Sequence, residues 1–298
     1  MTVHRLVAVV VLAMLEGGVV ALPRPDALGQ LGKLRSPLWA ILLPGSILVG
    51  TFGVIAWPSM APALVILAAA ATPLLTAIAM VAVTRGPRAL LLVTASALAV
   101  LAVAAAGWTA QLSATLLTGL GCMTLGVALA RLVPGRWVLA GAICMCILDV
   151  GLLTQGVGHA STVLMNHATA HAHGPTFDRA RFGPVATDYP DLVLAGFLGG
   201  SLANDRIQRR AALLLTALAT AYGMLLPIAH TLPATVQIAA VFILCRPELG
   251  TVHHRASSRL RDAAVSTLAV FRQQRPVAVT EQSQPLAPTG APCCNQEA

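Results

Sequence analysis

The chain has 298 residues, of which 57% are hydrophobic and only 10% are charged. An ordinary soluble domain carries about 25% charged residues, so this composition excludes a soluble globular domain and predicts a polytopic membrane protein. The net charge of +8 comes from arginines, with Lys33 the one lysine, that lie mainly in short loops and in the C-terminal tail. That placement indicates membrane lipids as partners and does not indicate nucleic-acid binding.

Nine apolar segments follow one another along the chain. A membrane-spanning helix takes about 20 residues, and the seventh segment falls short of this length unless it starts earlier, at Phe182 or Val185. We therefore predict an all-α polytopic membrane protein with about nine transmembrane helices, at 5–22, 37–57, 61–84, 88–107, 110–133, 136–157, 189–204, 210–229 and 232–247.

The first segment has an alternative interpretation, a secretory signal peptide. The stretch VVALPRP that ends it lacks a small-x-small cleavage pattern, and the loop that follows is basic, so we favour a transmembrane helix. Glu16 lies inside this segment. The sequence assigns no specific role to this acid, which either carries a proton or faces a partner helix.

The loop charges predict the orientation. The first, third, fifth and seventh loops together carry ten basic residues, loop six carries Arg179 and Arg181, and the other loops carry none. Because Lys and Arg of short loops stay in the cytoplasm, we predict an outside N-terminus and a cytoplasmic C-terminus. The preference for Arg over Lys is typical of a bacterial genome rich in G and C, so we expect the bacterial inner membrane.

Three parts follow from this pattern. Residues 1–133 form a five-helix membrane part, and residues 134–247 form a four-helix part that carries two intramembrane aspartates. Residues 248–298 form a cytoplasmic tail. Apolar residues at helical spacing among its arginines predict a basic amphipathic helix, and the polar residues after it predict disorder.

Loop six, at about 158–186, is rich in histidine. His167 and His171 have the i, i+4 spacing that can chelate a metal on a helix, and His159 and His173 lie nearby. We favour a solvated loop, because only Asp178 could complete a ligand set there. We therefore expect neither a metal site nor a cofactor.

Asp149 and Asp191 are the residues most indicative of function, because an ionisable residue inside a membrane segment is costly. Asp149 lies about seven residues before the outer end of the sixth segment, and Asp191 lies near the start of the seventh. At 1.5 Å per residue, both reach a similar depth, so the two carboxyl groups could face each other. Such a pair suits aspartic proteolysis. The alternatives are an ion-coupled transporter that uses the same acids and a non-catalytic membrane scaffold.

The segments around these acids resemble the presenilin and signal peptide peptidase class of intramembrane aspartyl proteases. That class has nine spans, with Tyr-Asp in the sixth, Gly-x-Gly-Asp in the seventh and Pro-Ala-Leu at the ninth. Here the corresponding stretches are Leu148-Asp149, Asp188-Tyr189-Pro190-Asp191 and Pro233-Ala234-Thr235, and Gly196 follows Asp191 as a glycine does in the class.

The resemblance implies an intramembrane aspartyl protease with Asp149 and Asp191 as the catalytic pair, and it implies no metal or cofactor. Substrate-binding positions carried over from the class are Leu232, Pro233, Ala234 and Gly196. Close helix packing is the alternative role of Gly196, because it begins a Gly-x3-Gly pattern. The outside N-terminus is the orientation of signal peptide peptidase, which favours type II transmembrane segments as substrates.

Asp188 competes with Asp191 as the second acid. Because Pro190 fits the first turn of a helix, Asp188 or Tyr189 is expected at the N-cap. We therefore predict that Asp191, one turn deeper, faces Asp149 within reach of one bridging water, and that Asp188 lies farther from Asp149.

Overall fold

A computed structural model describes residues 3–84, 88–171, 177, 179–202, 204–229 and 235–245. The described residues are mostly helical, at 84%, which confirms the predicted helical fold. The α-helices of this part of the chain are α1 (Val3–Ala21), α2 (Trp39–Ala56), α3 (Met60–Ile78), α4 (Arg88–Ala104), α5 (Trp108–Leu132), α6 (Gly135–Thr154), α7 (Val157–His171), α8 (Tyr189–Ser201), α9 (Asp205–Ala229) and α10 (Thr235–Leu244).

Five of these elements are long and apolar enough to cross a membrane: α1, α2, α3 with the π-helical turn Ala79–Val83, α5 and most of α6. Tryptophans lie at both ends of these spans. Trp39 and Trp57 border α2, whereas Trp108 begins α5 and Trp137 lies in the first turn of α6. Because Trp is enriched where a membrane meets water, this placement agrees with spanning helices. A helix lies at each of the nine predicted segments, but the total of about nine spans stays a prediction.

The segment predicted as polar loop six is structured. Helix α7 occupies its first half, and a hairpin of β1 (Arg179–Phe182) and β2 (Val185–Asp188) occupies its second half. The hairpin also corrects the expectation that the fold is entirely α-helical. His167 and His171 both lie on α7, whereas His173 and Asp178 lie outside the described residues.

The sequence of the hairpin explains its formation. Residues alternate along β1, so that Ala180 and Phe182 are buried while Arg181 is exposed. Antiparallel pairing joins Phe182 to Val185 across a two-residue turn. Gly183 takes the first position of this turn with φ of +57°, a conformation that primed hairpin turns require and that glycine adopts without strain.

Because residues 182–188 lie in the hairpin, the seventh segment does not start at Phe182 or Val185. Helix α8 starts at Tyr189, with Asp188 at the N-cap and Pro190 in the first turn, as the position of Pro190 predicts. Its 13 residues span only about 20 Å at 1.5 Å per residue. A hydrocarbon core is about 30 Å thick, so α8 by itself is too short to cross it.

The basic loops meet at one end of the bundle. Arg24 N–H donates to the Val83 carbonyl at 2.9 Å, and Ser36 N–H donates to Leu132 O at 3.0 Å. The Arg131 side chain donates to the carbonyls of Pro25 and Ala27. The Gln208 amide reaches Val20 O and Pro23 O at 2.8 and 2.9 Å. The first, third, fifth and seventh loops therefore share one end.

The opposite end holds the hairpin and the start of α1. Trp108 packs edge-on against His4 and Phe182, with ring centroids 5.8 and 5.2 Å apart. The Thr115 hydroxyl donates to Arg181 O at 2.7 Å, and Gly183 N–H donates to Gln111 Oε1 at 3.0 Å. These contacts fix the hairpin to α5.

Helix α8 is buried because it packs backbone against backbone on α5. A Cβ added to Gly126 of α5 would lie 2.3 Å from Val193 O, and one added to Gly196 of α8 would lie 2.9 Å from Met123 Cα. Both distances are too short for any side chain. Glycine at these positions therefore lets the two helices approach closely, as in other membrane bundles.

Helix α1 lies against α8 and α9 in the same manner. A Cβ on Gly199 would lie 2.6 Å from Val20 O, and one on Gly17 would lie 2.9 Å from Ala212 O. The predicted parts 1–133 and 134–247 thus contribute helices to one unit, which clusters over Met1–His254. The predicted tail, 248–298, lies outside the described residues.

We expect Gly126→Ala to destabilise the protein, because the new methyl group would overlap backbone atoms of α8 that cannot move separately. Overpacking of this kind costs about 1–3 kcal/mol. Gly151→Ala in α6 is the matched control, since a Cβ there meets nothing within 4 Å and alanine is favoured in a helix by about 1 kcal/mol. Thermal unfolding in detergent should give a lower midpoint for Gly126→Ala only. Equal midpoints would contradict the close packing of α5 and α8.

Candidate functional site

The two predicted aspartates line one cavity. Its volume is about 980 Å³, and its walls come from the hairpin and from every described α-helix except α4. Asp149 enters from α6 and Asp191 from the first turn of α8. The structure therefore brings both acids, which lie on different helices, to the same space.

Asp149 is held by α10. Its Oδ2 accepts a hydrogen bond of 2.7 Å from the Thr235 hydroxyl. Thr235 is the residue that follows Pro233 and Ala234, where the resembling class has leucine. The substitution places a hydroxyl donor beside the carboxyl group, which remains partly exposed in the cavity. Cys146, three residues before Asp149, also lies close to Thr235.

Asp191 is held by the start of its own helix. It is 8% exposed, and its carboxyl group interacts with the backbone N–H of Asp188, the N-cap residue. A side chain that reaches back from the third helical position to the N-cap makes one half of a capping box, and the Asp188 side chain makes no cap hydrogen bond in return. The N-terminus of a helix also favours negative charge. Local structure thus accounts for both the depth and the direction of Asp191.

Asp149, Asp188 and Glu16 all lie within electrostatic range of Asp191. Asp188 also lines the cavity. It is both the last residue of β2 and the N-cap of α8, so its backbone belongs to the hairpin. That Asp149 and Asp191 face each other across one water, with Asp188 farther away, stays a prediction.

Glu16 is a third acid of the same cavity. It is only 3% exposed. Its Oε2 accepts a hydrogen bond of 3.0 Å from Gln237 Nε2 on α10, and its Oε1 accepts a longer one of 3.4 Å from the Thr187 hydroxyl on β2. The sequence pointed to Glu16 as a costly intramembrane charge, but only the fold shows that it lies beside the aspartates.

Gly196, carried over as a substrate-binding position, does not line the cavity. It faces the backbone of Cys122 and Met123 on α5, so its role in the structure is the alternative one, close helix packing. The other three carried-over positions, Leu232, Pro233 and Ala234, lie outside the described residues. Thr235, directly after them, brings this part of the chain to Asp149.

The cavity is lined by both polar and apolar residues. Its polar lining includes Ser161 and Thr162 of α7, Arg179 of the hairpin and Asp188 at the start of α8. Its apolar lining includes leucines of α3, of which Leu67 and Leu74, two turns apart, are 62% and 64% exposed. The same cavity therefore holds the carboxyl groups and an exposed apolar wall.

Within the described ranges, no group of three or more His, Cys, Asp or Glu residues could hold a metal ion. His167 belongs to those ranges, whereas the side chains of His159, His171 and His173 do not.

No protein-family model, curated protein or solved structure matches this chain.

We expect cysteine introduced at Ser161 to react with a water-soluble maleimide in intact membranes, because Ser161 lines the cavity beside the polar hairpin. Ala168→Cys on the same helix is the matched control, since Ala168 packs into a buried cluster with Val54 and Val65. Both variants are made in a chain whose native cysteines are replaced by alanine, and labelling rates are compared by gel shift. Equal rates would show that the cavity is closed to water.

Proposed function

We propose that this protein is an intramembrane aspartyl protease that cleaves transmembrane peptide segments with Asp149 and Asp191. The observation that carries the proposal is the meeting of these two acids at one large cavity. Asp149 lies on α6 and Asp191 lies on α8, so only the tertiary fold brings the two acids to the same cavity.

The chemistry follows from two neighbouring carboxyl groups. Like charges close together do not both ionise readily, so the pair shares one proton near neutral pH. The ionised carboxyl takes a proton from a water molecule, which attacks the peptide carbonyl, while the protonated carboxyl donates a hydrogen bond to the carbonyl oxygen. The Thr235 hydroxyl, bonded to one oxygen of Asp149, restricts how that carboxyl turns and leaves the other oxygen for the water or the substrate.

The apolar wall supports a membrane-embedded substrate. A transmembrane segment must reach the acids from the side, through lipid, and the exposed leucines of α3 lie on the lining of the cavity. The polar residues of the lining, such as Arg179 and Asp188, can hold water in the same cavity. Hydrolysis inside a membrane needs both features at the same place.

A transporter would need a polar path that continues to the opposite end of the bundle. Below Asp191, the described residues of α8 are packed without space against α5 and α1 at Gly126 and Gly199. The neighbouring side chains Leu194 and Leu198 are fully buried and apolar. This packing favours proteolysis over ion-coupled transport.

We further propose that the basic end is cytoplasmic and that the protein lies in a bacterial inner membrane. Short-loop basic residues stay inside, and the loops that carry Arg24, Arg35 and Arg131 meet at one end. The aspartates then open toward the outer side, where the hairpin lies. Type II transmembrane segments are the expected substrates, and the surrounding lipids are the other partners.

Asp149→Ala and Asp191→Ala should each lower cleavage of a membrane-peptide substrate by about 10,000-fold or more, and the double variant should add little, because the pair acts as a unit. Asp26→Asn, at an exposed site in the first loop, is the control and should retain turnover. The assay uses purified protein reconstituted in liposomes. Near-normal turnover in either single variant would exclude the pair as the catalytic group.

Reporter fusions test the orientation. Fusions after Arg35 and after Arg210 should both read as cytoplasmic, because both positions follow basic loops, whereas a fusion after Trp57 in an uncharged loop should read as periplasmic. Alkaline phosphatase and fluorescent-protein reporters distinguish the two sides. A periplasmic signal after Arg35 or Arg210 would contradict the orientation.

A further inference from the structure

Glu16 connects the two structural elements that carry the aspartates. One oxygen of its carboxyl group accepts from Gln237 on α10, and the other accepts from Thr187 on β2. Thr187 of β2 lies four residues before Asp191 in the sequence. Gln237 lies two residues after Thr235, which donates a hydrogen bond to Asp149. Glu16 is therefore hydrogen-bonded to α10, the helix that binds Asp149, and to the hairpin, which leads directly into the first turn of α8 and Asp191.

We propose that Glu16 is a positioning residue of the aspartate pair, which acts by holding the hairpin and α10 at a fixed separation. The proposal rests on the proposed function, since it assigns Glu16 a part in the same reaction. Glu16 does not replace either aspartate in the chemistry. Both oxygens of its carboxyl group accept hydrogen bonds from neutral donors, whereas Asp149 keeps one oxygen for water or substrate.

The backbone of Glu16 is itself fixed. Gly17, the next residue, lies so close to α9 that an added Cβ would meet Thr216 Oγ1 and Ala212 O at 2.0 and 2.9 Å. On the next turn, Val20 packs against Gly199 of α8. Because these contacts prevent α1 from sliding or rotating against its neighbours, the backbone of Glu16 keeps a fixed position relative to Thr187 and Gln237.

Several charged or titratable groups line the same cavity as Glu16. They are Asp149 of α6, Asp188, Tyr189 and Asp191 at the start of α8, Tyr222 of α9 and Arg179 of β1, whereas α10 contributes the neutral Gln237. A positioning role predicts that the shape and hydrogen bonds of residue 16 matter and that its charge does not. Glutamine satisfies this condition, because its oxygen can accept from Gln237 and its nitrogen can donate to the Thr187 hydroxyl.

The experiment compares Glu16→Ala with Glu16→Gln in liposomes, with kcat and KM measured separately on one transmembrane peptide. Glu16→Ala should lower kcat by about 100-fold, as small misplacements of reacting groups do, with little change in KM. Glu16→Gln should restore kcat to within about threefold of the wild type. Val19→Ala, a buried truncation on the same helix outside this cavity, controls for general loosening of α1 and should keep normal kcat.

Normal kcat in Glu16→Ala, or an effect of this variant on KM alone, would overturn the proposal. A loss of kcat in Glu16→Gln as large as in Glu16→Ala would also overturn it, because the effect would then come from the charge of residue 16. If Glu16→Ala does not fold, Thr187→Val breaks only the contact to the hairpin, and Thr187→Ser should restore activity. Normal kcat in Thr187→Val would then overturn the proposal.

Hydrogen exchange separates this proposal from the proposed function. If the wild type cleaves no membrane peptide, the proposed function fails, and amide exchange over 185–195 and 235–245 still tests Glu16. Exchange there should accelerate in Glu16→Ala and stay at the wild-type rate in Glu16→Gln and Val19→Ala. Unchanged exchange in Glu16→Ala would show that Glu16 holds neither element.

Discussion

The close approach of α8 to α5 is the constraint on which the candidate site depends. Gly126 of α5 lies against the backbone of α8 near Val193, two residues after Asp191. Helix α8 is short and buried on nearly all sides, so its position is set by its neighbours and not by its own anchoring in a membrane. Any residue larger than glycine at this contact would displace the turn that carries Asp191. The depth of Asp191 is therefore a consequence of helix packing.

Hydrogen bonds between helices then fix the register of the remaining elements. In hydrocarbon, a polar side chain without a partner is costly, so each bonded pair selects one arrangement of its two helices. Thr76 of α3 donates to Leu117 O of α5 at 2.9 Å, and Thr124 of α5 donates to Leu75 O at 3.0 Å. The contacts of Asp149 and Glu16 with α10 belong to the same system. Each such contact contributes modestly, yet together they leave little freedom to the walls of the cavity.

Apolar length was sufficient to locate nine of the ten α-helices of the described residues, because a run of about 20 apolar residues has few other stable forms. The exception is α7, which lies in the segment predicted as a polar loop. The hairpin was not predicted, although the alternation of Arg179, Ala180, Arg181 and Phe182 before a Gly-Pro turn is a strand signal. The same stretch also fits an earlier start of the seventh span, at Phe182 or Val185, so length alone did not separate a strand from a helix. Asp149 and Asp191 could be predicted as site residues from the sequence, because an ionisable side chain in a membrane segment is costly. The contact of Glu16 with Gln237 could not be predicted, because it depends on how distant segments of the chain pack.

The residues in place of the two glycines of the resembling class are compatible with the backbone of this site. Asp188 has φ of −75° and ψ of 154°, an extended conformation open to any residue. Pro190 lies in the first turn of α8, where the missing N–H has no helical partner to lose and the fixed φ suits a helix. Neither residue has the positive φ that would favour glycine. The start of α8 can therefore present Asp191 without either glycine, and the hairpin before it supplies the rigidity that a glycine-rich stretch would lack.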